Sequence, residues 1–572
     1  MGLGVLEDRH LEHVPGTALL TDSVDANQQH HHGDLDTTVL RHANGRGDGD
    51  VILVPQPSRS PNDPLNWPLW KKDLMLFLIC IDTAVVGAWV SMNKASLPYT
   101  NSHDGKLQGP MISPGYADMS ESWNMSYNAL NGGLGWGIFV IGISCFFTNA
   151  LAVVYGRRPV FLLGNLLLFI SSLWGYFAHS YSSLLASRLI GCIGMSPFEV
   201  LVTTTIADLY FVHQRGLRLA MWGLCLSVGV GGGGIISGYI IQDLGWNWTY
   251  GICAILFGVW IPVLYFFCPE TAYRRDAIFN TDQGTQDRAE ELTETKLAKL
   301  EEKHETVENI DRVETNITFT EEKHSYAYDL KIFHGRQCDD AYWKVLVRPL
   351  MMLVFPQVLF SFFAYGLTTS WLVVVGSVLA QLFTAPPYNF SVSGVGLVST
   401  SALIGSIIGA FTSGPIADWV VKLMARRNGG VYEPEFRLVI IIVTLILGGI
   451  SFFGFGWSLE VHDPWIGPVI FYGIQYFSVG FMNIAVYGYL TDCHRDKAPE
   501  AFAAINLRNI YSFGMNYFVS SWIVSQGPKQ VFCIVGGIHV AICLCAIPMY
   551  IFGKRCRSWT SRVKIFQVVM RA

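Results

Sequence analysis

Along this chain run about twelve apolar stretches, each near the roughly 20 residues needed to cross a hydrocarbon core. They fall near Leu74 to Val90, Leu130 to Val154, Val160 to Ala178, Leu184 to Ala207, Leu219 to Ile241 and Trp246 to Cys268. After a break they resume near Leu350 to Phe383, Val395 to Ala417, Leu438 to Leu459, Ile466 to Leu490, Ala501 to Val524 and Val531 to Phe552. In lipid the backbone has no water to bond, so such runs are helices. The expected fold is an all-α membrane protein, six helices, a break, then six more. The run from Leu350 is long enough to require tilt or a kink near Pro356.

Against that apolar background four ionisable residues stand out: Asp82 in the first run, Arg188 and Glu199 in the fourth, and Arg508 in the eleventh. A charge at bilayer depth costs a few kcal/mol unless it lines a polar cavity or finds a partner, so these mark a route for something polar. Asp82 is mid-run and too short to snorkel, which leaves a cavity role or a structural pairing. Arg188 and Glu199 are 11 residues apart, nearly the same helix face about 16 Å along the axis, too far to pair but able to face one cavity. Arg508, early in its run, is placed either there or at the cytoplasmic headgroups. Gln357, Tyr365, Gln475, Asn483 and Asn516 rank lower, since they serve equally well as bonds between helices. His539 is expected as a core histidine.

Composition excludes other classes. With 51% hydrophobic and 15% charged content over 572 residues, the chain is too apolar for a soluble enzyme. No basic domain marks a nucleic-acid binder. It lacks a P-loop, an HExxH and a GxSxG elbow, so neither ATP-driven nor hydrolytic chemistry is expected, and neither a cofactor nor a metal site. The cysteines include no CxxC and no external pair, which makes them packing residues.

Basic residues sort onto one side: Arg157 and Arg158, Arg215 and Arg218, Lys422 with Arg426 and Arg427, Arg495, and Lys554 to Arg557. Both termini are therefore cytoplasmic. The sequons at Asn124 and Asn389 fall outside, where glycosylation is available, and that at Asn316 inside. The organisation reads as a disordered cytoplasmic tail (1–62) without a signal peptide, a first half (63–268), a cytoplasmic loop (269–348), a second half (349–552) and a short tail (553–572). His30 to His32 in the first tail could hold a metal but more simply belong to a flexible polar segment. Leu292, Leu297, Leu300, Val307, Ile310 and Val313 lie at helical spacing in the loop, as a linker helix or a partner site.

Several segments carry a resemblance covering about Asp63 to Phe552. They are "NDPLNWPLWKKDL" before the first helix, "VYGRRPVFL" between the second and third, and "SRLIGCIGMSPFEVLVTTTIADLYFVHQRGLRLAMWG" from Ser187 to Gly223. The chain resembles the major facilitator superfamily, in its fungal drug:proton antiporter and polyamine-type branch. Resemblance implies gating roles for Gly156, Arg157 and Arg158, and in the second-half loop "GPIADWVVKLMARRN" for Asp418, Arg426 and Arg427. Where the first-half motif usually carries its Asp, this chain has Val153. The antiporter motif of helix 5 is replaced by "SVGVGGGGIISGY", whose glycines suit close helix packing. Pro269 and Glu270 in "CPETAYRR" are expected simply to end helix 6.

Two membrane acids and no sodium cage make the proton the expected coupling ion, with Asp82, Glu199 and Arg188 as candidates for substrate or proton coupling, and the resemblance adds to the case for Glu199. The expected partner is a small organic solute handled by a monomer in the plasma membrane. Efflux of a drug or secondary metabolite stands slightly ahead of uptake of a polyamine-like cation. A receptor-like sensor on the same fold is the alternative from another class.

Overall fold

The computed structural model describes residues 3–11, 14, 16–19, 57–58, 60–95, 127–273, 323–338, 340–384, 386–390, 392–494 and 497–563. The triple histidine, the helical pattern of residues 292–313, Asn124 and Asn316 lie outside the described residues.

The first half is α1 (Leu69–Ala95), α2 (Tyr127–Tyr155), α3 (Arg157–Tyr176), α4 (Tyr181–Leu209), α5 (Val212–Leu244) and α6 (Asn247–Phe267). A surface helix, α7 (Tyr342–Met352), leads to the second half. There α8 (Pro356–Thr384) and α9 (Val392–Arg427) are followed by a 3-10 turn (Pro434–Ile440) that enters α10 (Ile441–Glu460), and then by α11 (Ile466–Cys493). Next come α12 (Ala498–Ile505), α13 (Arg508–Gln526), α14 (Pro528–Leu544) and α15 (Ala546–Arg562). Among the described residues eleven helical stretches are long and apolar enough to cross a membrane, and the broken pair α12 and α13 stands in the place of the twelfth. The molecule is thus an all-α membrane protein with the two six-helix halves expected.

Two runs differ from expectation. Leu350 to Phe383 is not one kinked helix: α7 ends at Met352, a turn follows, and Pro356 opens α8, where its missing N–H is no loss. In the eleventh run the chain breaks at Asn506 and Leu507, so Arg508 becomes the first residue of a new helix.

Glycines set how closely the helices approach. A Cβ on Gly229 or Gly233 of α5 would strike the backbone of Ala84 or Ala88 in α1, so these glycines put two helix backbones in contact. Outward faces keep large apolar side chains such as Phe411, Trp419, Ile255 and Val259 exposed, as a lipid-facing surface requires. His539 is buried, its Nε2 3.1 Å from the Thr444 carbonyl of α10, as a core histidine. The cysteines are all free.

The described residues between Leu3 and Leu19 depart from the disordered tail expected. Val5 and Val14 are buried, and Ala18–Leu19 (β1) pairs antiparallel with Val431–Tyr432 (β2). The polar composition hides this because the contacts are mostly hydrogen bonds and ion pairs to the second half rather than a core.

Candidate functional site

At mid-depth a single node spans the two halves. Ser180 caps the start of α4, and Glu199 sits about 15 Å along the axis from the helix's C-terminal end. Its side chain leaves the first half: Oε1 is 3.8 Å from Nη2 of Arg508, and Oε2 accepts a hydrogen bond from Asn509 Nδ2 at 3.0 Å. Both partners belong to the first turn of α13, aimed inward by the break that precedes it. The Arg508 guanidinium lies 4.9 Å from the Tyr365 ring of α8, a cation–π distance. The Tyr365 ring lies tilted against that of Tyr487 on α11 at 5.0 Å, and Tyr487 meets Trp222 of α5 at 5.6 Å.

The Glu199 and Arg508 side chains are 12% and 10% exposed, shielded from bulk water but not sealed. At 3.8 Å their contact is longer than a hydrogen bond, an electrostatic attraction that can be released without breaking a tight bidentate pair.

The other candidates are held elsewhere. Asp82 is fully buried, and its Oδ2 accepts from Asn165 Nδ2 of α3 at 2.9 Å, which ties it into the first half, since α3 packs on α4 and α6. Its Oδ1 has no hydrogen-bond partner among the described residues. Arg188 donates from Nε to the Tyr250 hydroxyl of α6 at 3.0 Å, so it and Glu199 share a helix but bond into different halves. Gln357 and Gln475 are buried in the second half with amide atoms that find no partner among the described residues. The same holds for Oδ1 of Asn483. Asn516 bonds its own helix, donating to the Ser512 carbonyl at 2.8 Å.

At the end of the bundle that carries the basic loops, Gly156 turns the chain from α2 into α3 with a φ of 98°, a left-handed value that favours glycine. With no side chain there to cap α3, the Glu270 carboxylate does so: it accepts from the Arg157 and Arg158 amides at 2.9 and 3.1 Å. Glu270 therefore does more than end helix 6. The Arg157 guanidinium pairs with Asp208 and donates to the Thr204 carbonyl, and Arg158 donates to the carbonyls of Tyr265 and Lys331 at 2.7 and 3.0 Å. These bonds lie within the first half and the loop after it.

The bridge between halves is made by a residue singled out only as a topology signal. Arg215, at the start of α5, donates to the Ala207 and Tyr210 carbonyls and places Nη1 3.6 Å from Oδ1 of Asp492 on α11. Asp492 is buried and also accepts from Arg437 Nε at 2.6 Å and from the Tyr432 hydroxyl at 2.5 Å. Beside it Asp418 packs on Gly216, where any Cβ would strike its carboxylate. Arg426 and Arg427 are exposed in the last turn of α9, where positive charge complements the helix dipole. Asn389 is exposed in the turn between α8 and α9.

Known proteins match this architecture. The sequence model described as "Major Facilitator Superfamily" matches residues 107–515, well over half of the chain. Protein HOL1 of Saccharomyces cerevisiae is 28% identical, covering 98% of this chain and 98% of its own. The efflux pump radE of Floropilus chiversii is 25% identical, covering 87% of this chain and 83% of its own. The structure of the human organic anion transporter MFSD10 covers 83% of this chain and 99% of its own at 15% identity, with a TM-score of 0.53, a likeness of fold. With two six-helix halves, a charged node between them and a matching family sequence, the chain belongs to the Major Facilitator Superfamily, a multi-pass membrane transporter of small solutes and not an enzyme.

Proposed function

We propose that this protein is a proton-coupled secondary transporter of the plasma membrane that exports a small organic solute, with Glu199 as its proton carrier. One observation carries the reading: a carboxylate at mid-depth in one half is neutralised across the interface by a cation of the other, at a distance that permits release. A proton taken up by Glu199 converts the carboxylate to a neutral acid and cancels its attraction to Arg508. The halves are then free to rock apart, and loss of the proton on the opposite side restores the pair. Alternating access of this kind moves proton and solute in strict exchange. The relative named an efflux pump supports export as the direction.

The test is flux in proteoliposomes with an imposed pH gradient, using radiolabelled polyamines and antifungal compounds as probes. Glu199→Gln should abolish gradient-driven accumulation while leaving energy-independent exchange in place. Gradient-driven transport by this variant at the parental rate would sink the assignment of the carrier. Accumulation in the sense of proton and solute moving together would overturn export.

A further inference from the structure

The first described residues lie outside the helices of both bundles, yet they are fastened to the second half at several points. Leu6 donates its amide to the Ile551 carbonyl of α15 at 3.0 Å, and the Tyr550 hydroxyl donates to the Leu3 carbonyl at 2.9 Å. Glu7 pairs with Lys554 at 2.6 Å, and Asp8 accepts from the Ser558 hydroxyl at 2.6 Å. Val5 closes a small apolar cluster with Val421, Ala425, Tyr432 and Phe436. Thr17 then donates to Glu433 at 2.8 Å, and β1 pairs with β2. Gly16 marks the tightest point, with a φ of 94° and a missing Cβ that would lie 2.9 Å from Arg557 Nη1 and 3.1 Å from the Asp492 carbonyl oxygen.

What lies under this segment is the network that meets the other half. Arg557 is buried between Glu433 and Glu435, to which it donates at 2.7 and 2.8 Å. Tyr432, the β1 partner, bonds the same Asp492 oxygen as Arg437, while the other oxygen faces Arg215 of α5. Strap, β2, Tyr432, Asp492 and Arg215 therefore form one continuous chain of contacts from the beginning of the polypeptide to the opposite half.

We propose that the described residues between Leu3 and Leu19 are a cytoplasmic strap which holds Asp492 in the geometry that meets Arg215, and so favours the state closed on the cytoplasmic side. Releasing the strap frees β2 and Tyr432 and weakens the bridge between halves. A change in the strap is in this way felt by α5 of the opposite half. The device is independent of which solute is carried and of whether protons drive it.

Amide hydrogen exchange on the full-length protein tests this. Gly16→Val, which cannot adopt the strap's backbone or its close approach, should raise exchange at least about tenfold in residues 428–437 and also in residues 209–218 across the interface. Glu7→Lys, a change at an exposed carboxylate, should give the same pattern more weakly and keeps the test independent of any folding defect at Gly16. A synthetic peptide of residues 3–19 added to Gly16→Val should restore protection in both segments. In an Arg215→Ala background the strap variants should add nothing at 209–218. Exchange that rises only at 428–437, or in neither segment, overturns the proposal.

Discussion

Glu199 on α4 and Arg508 on α13 lie 3.8 Å apart across the interface between the two halves, with Asn509 bonded to the same carboxylate. Desolvating two charges is repaid only while both are present, and removing one partner leaves an uncompensated charge at membrane depth. Arg508→Met should therefore lower stability by about 3 kcal/mol, whereas Arg508→Met combined with Glu199→Gln should recover most of that loss. Thermal unfolding of the purified variants in one detergent reads the cycle. Additive losses would mean that the two side chains do not act as a pair.

The cap supplied by Glu270 is measurable apart from transport. Its carboxylate accepts from four amides, those of Arg157, Arg158, Thr271 and Ala272. Glu270→Ala leaves the first turn of α3 without an acceptor, and Gly156 has no side chain to replace it. The expected cost is about 1–2 kcal/mol in stability, visible as a lower midpoint of thermal unfolding. An unchanged midpoint would show that water serves those amides equally well.

How far such features can be read from sequence depends on their range. The membrane runs follow from local hydropathy, so the two halves were legible. Glu199 and Arg508 each stood out as a charge in an apolar run, but their meeting depends on the relative placement of α4 and α13 and on the break at Asn506 and Leu507. No proline or glycine marks that break. Asp82 stood out equally, and only its bond to Asn165 separates it from the interface. Asp492 escaped notice because it follows the end of its apolar run, where an acid normally faces water; burial by Arg437 and Tyr432 is a long-range result.

The cytoplasmic bridge predicts a defect in turnover rather than binding. Arg215→Ala removes the cation that meets Asp492, far from the mid-depth node, so the maximal rate should fall several-fold while the solute concentration at half-maximal rate changes little. Arg157→Ala together with Arg158→Ala should act in the same direction by loosening the start of α3 from the ends of α4 and α6. Initial-rate flux over a range of solute concentrations separates the two parameters. A loss confined to apparent affinity would place these arginines in solute recognition.

Orientation has its own check at Asn389, exposed in the turn between α8 and α9 on the side opposite the basic loops. Asn389→Cys should react in intact cells with a membrane-impermeant maleimide, and a tag at either terminus should resist external protease. Labelling that requires permeabilised cells would invert the assignment.

The sharpest contrast lies between the two membrane acids. Glu199 bonds across the interface, so its charge state bears on whether the halves hold together; Asp82 bonds to Asn165 inside one half, so its charge state bears on how that half packs. Asp82→Asn keeps a hydrogen-bonding oxygen toward Asn165, and it should leave the ratio of gradient-driven to exchange flux unchanged while shifting thermal stability. Glu199→Gln should do the reverse, collapsing that ratio in protein that inserts normally. Measuring both fluxes and the unfolding midpoint for each variant decides the matter. If Asp82→Asn collapses the ratio and Glu199→Gln does not, the proton carrier lies within the first half, and the mid-depth pair of Glu199 and Arg508 is only a structural clasp.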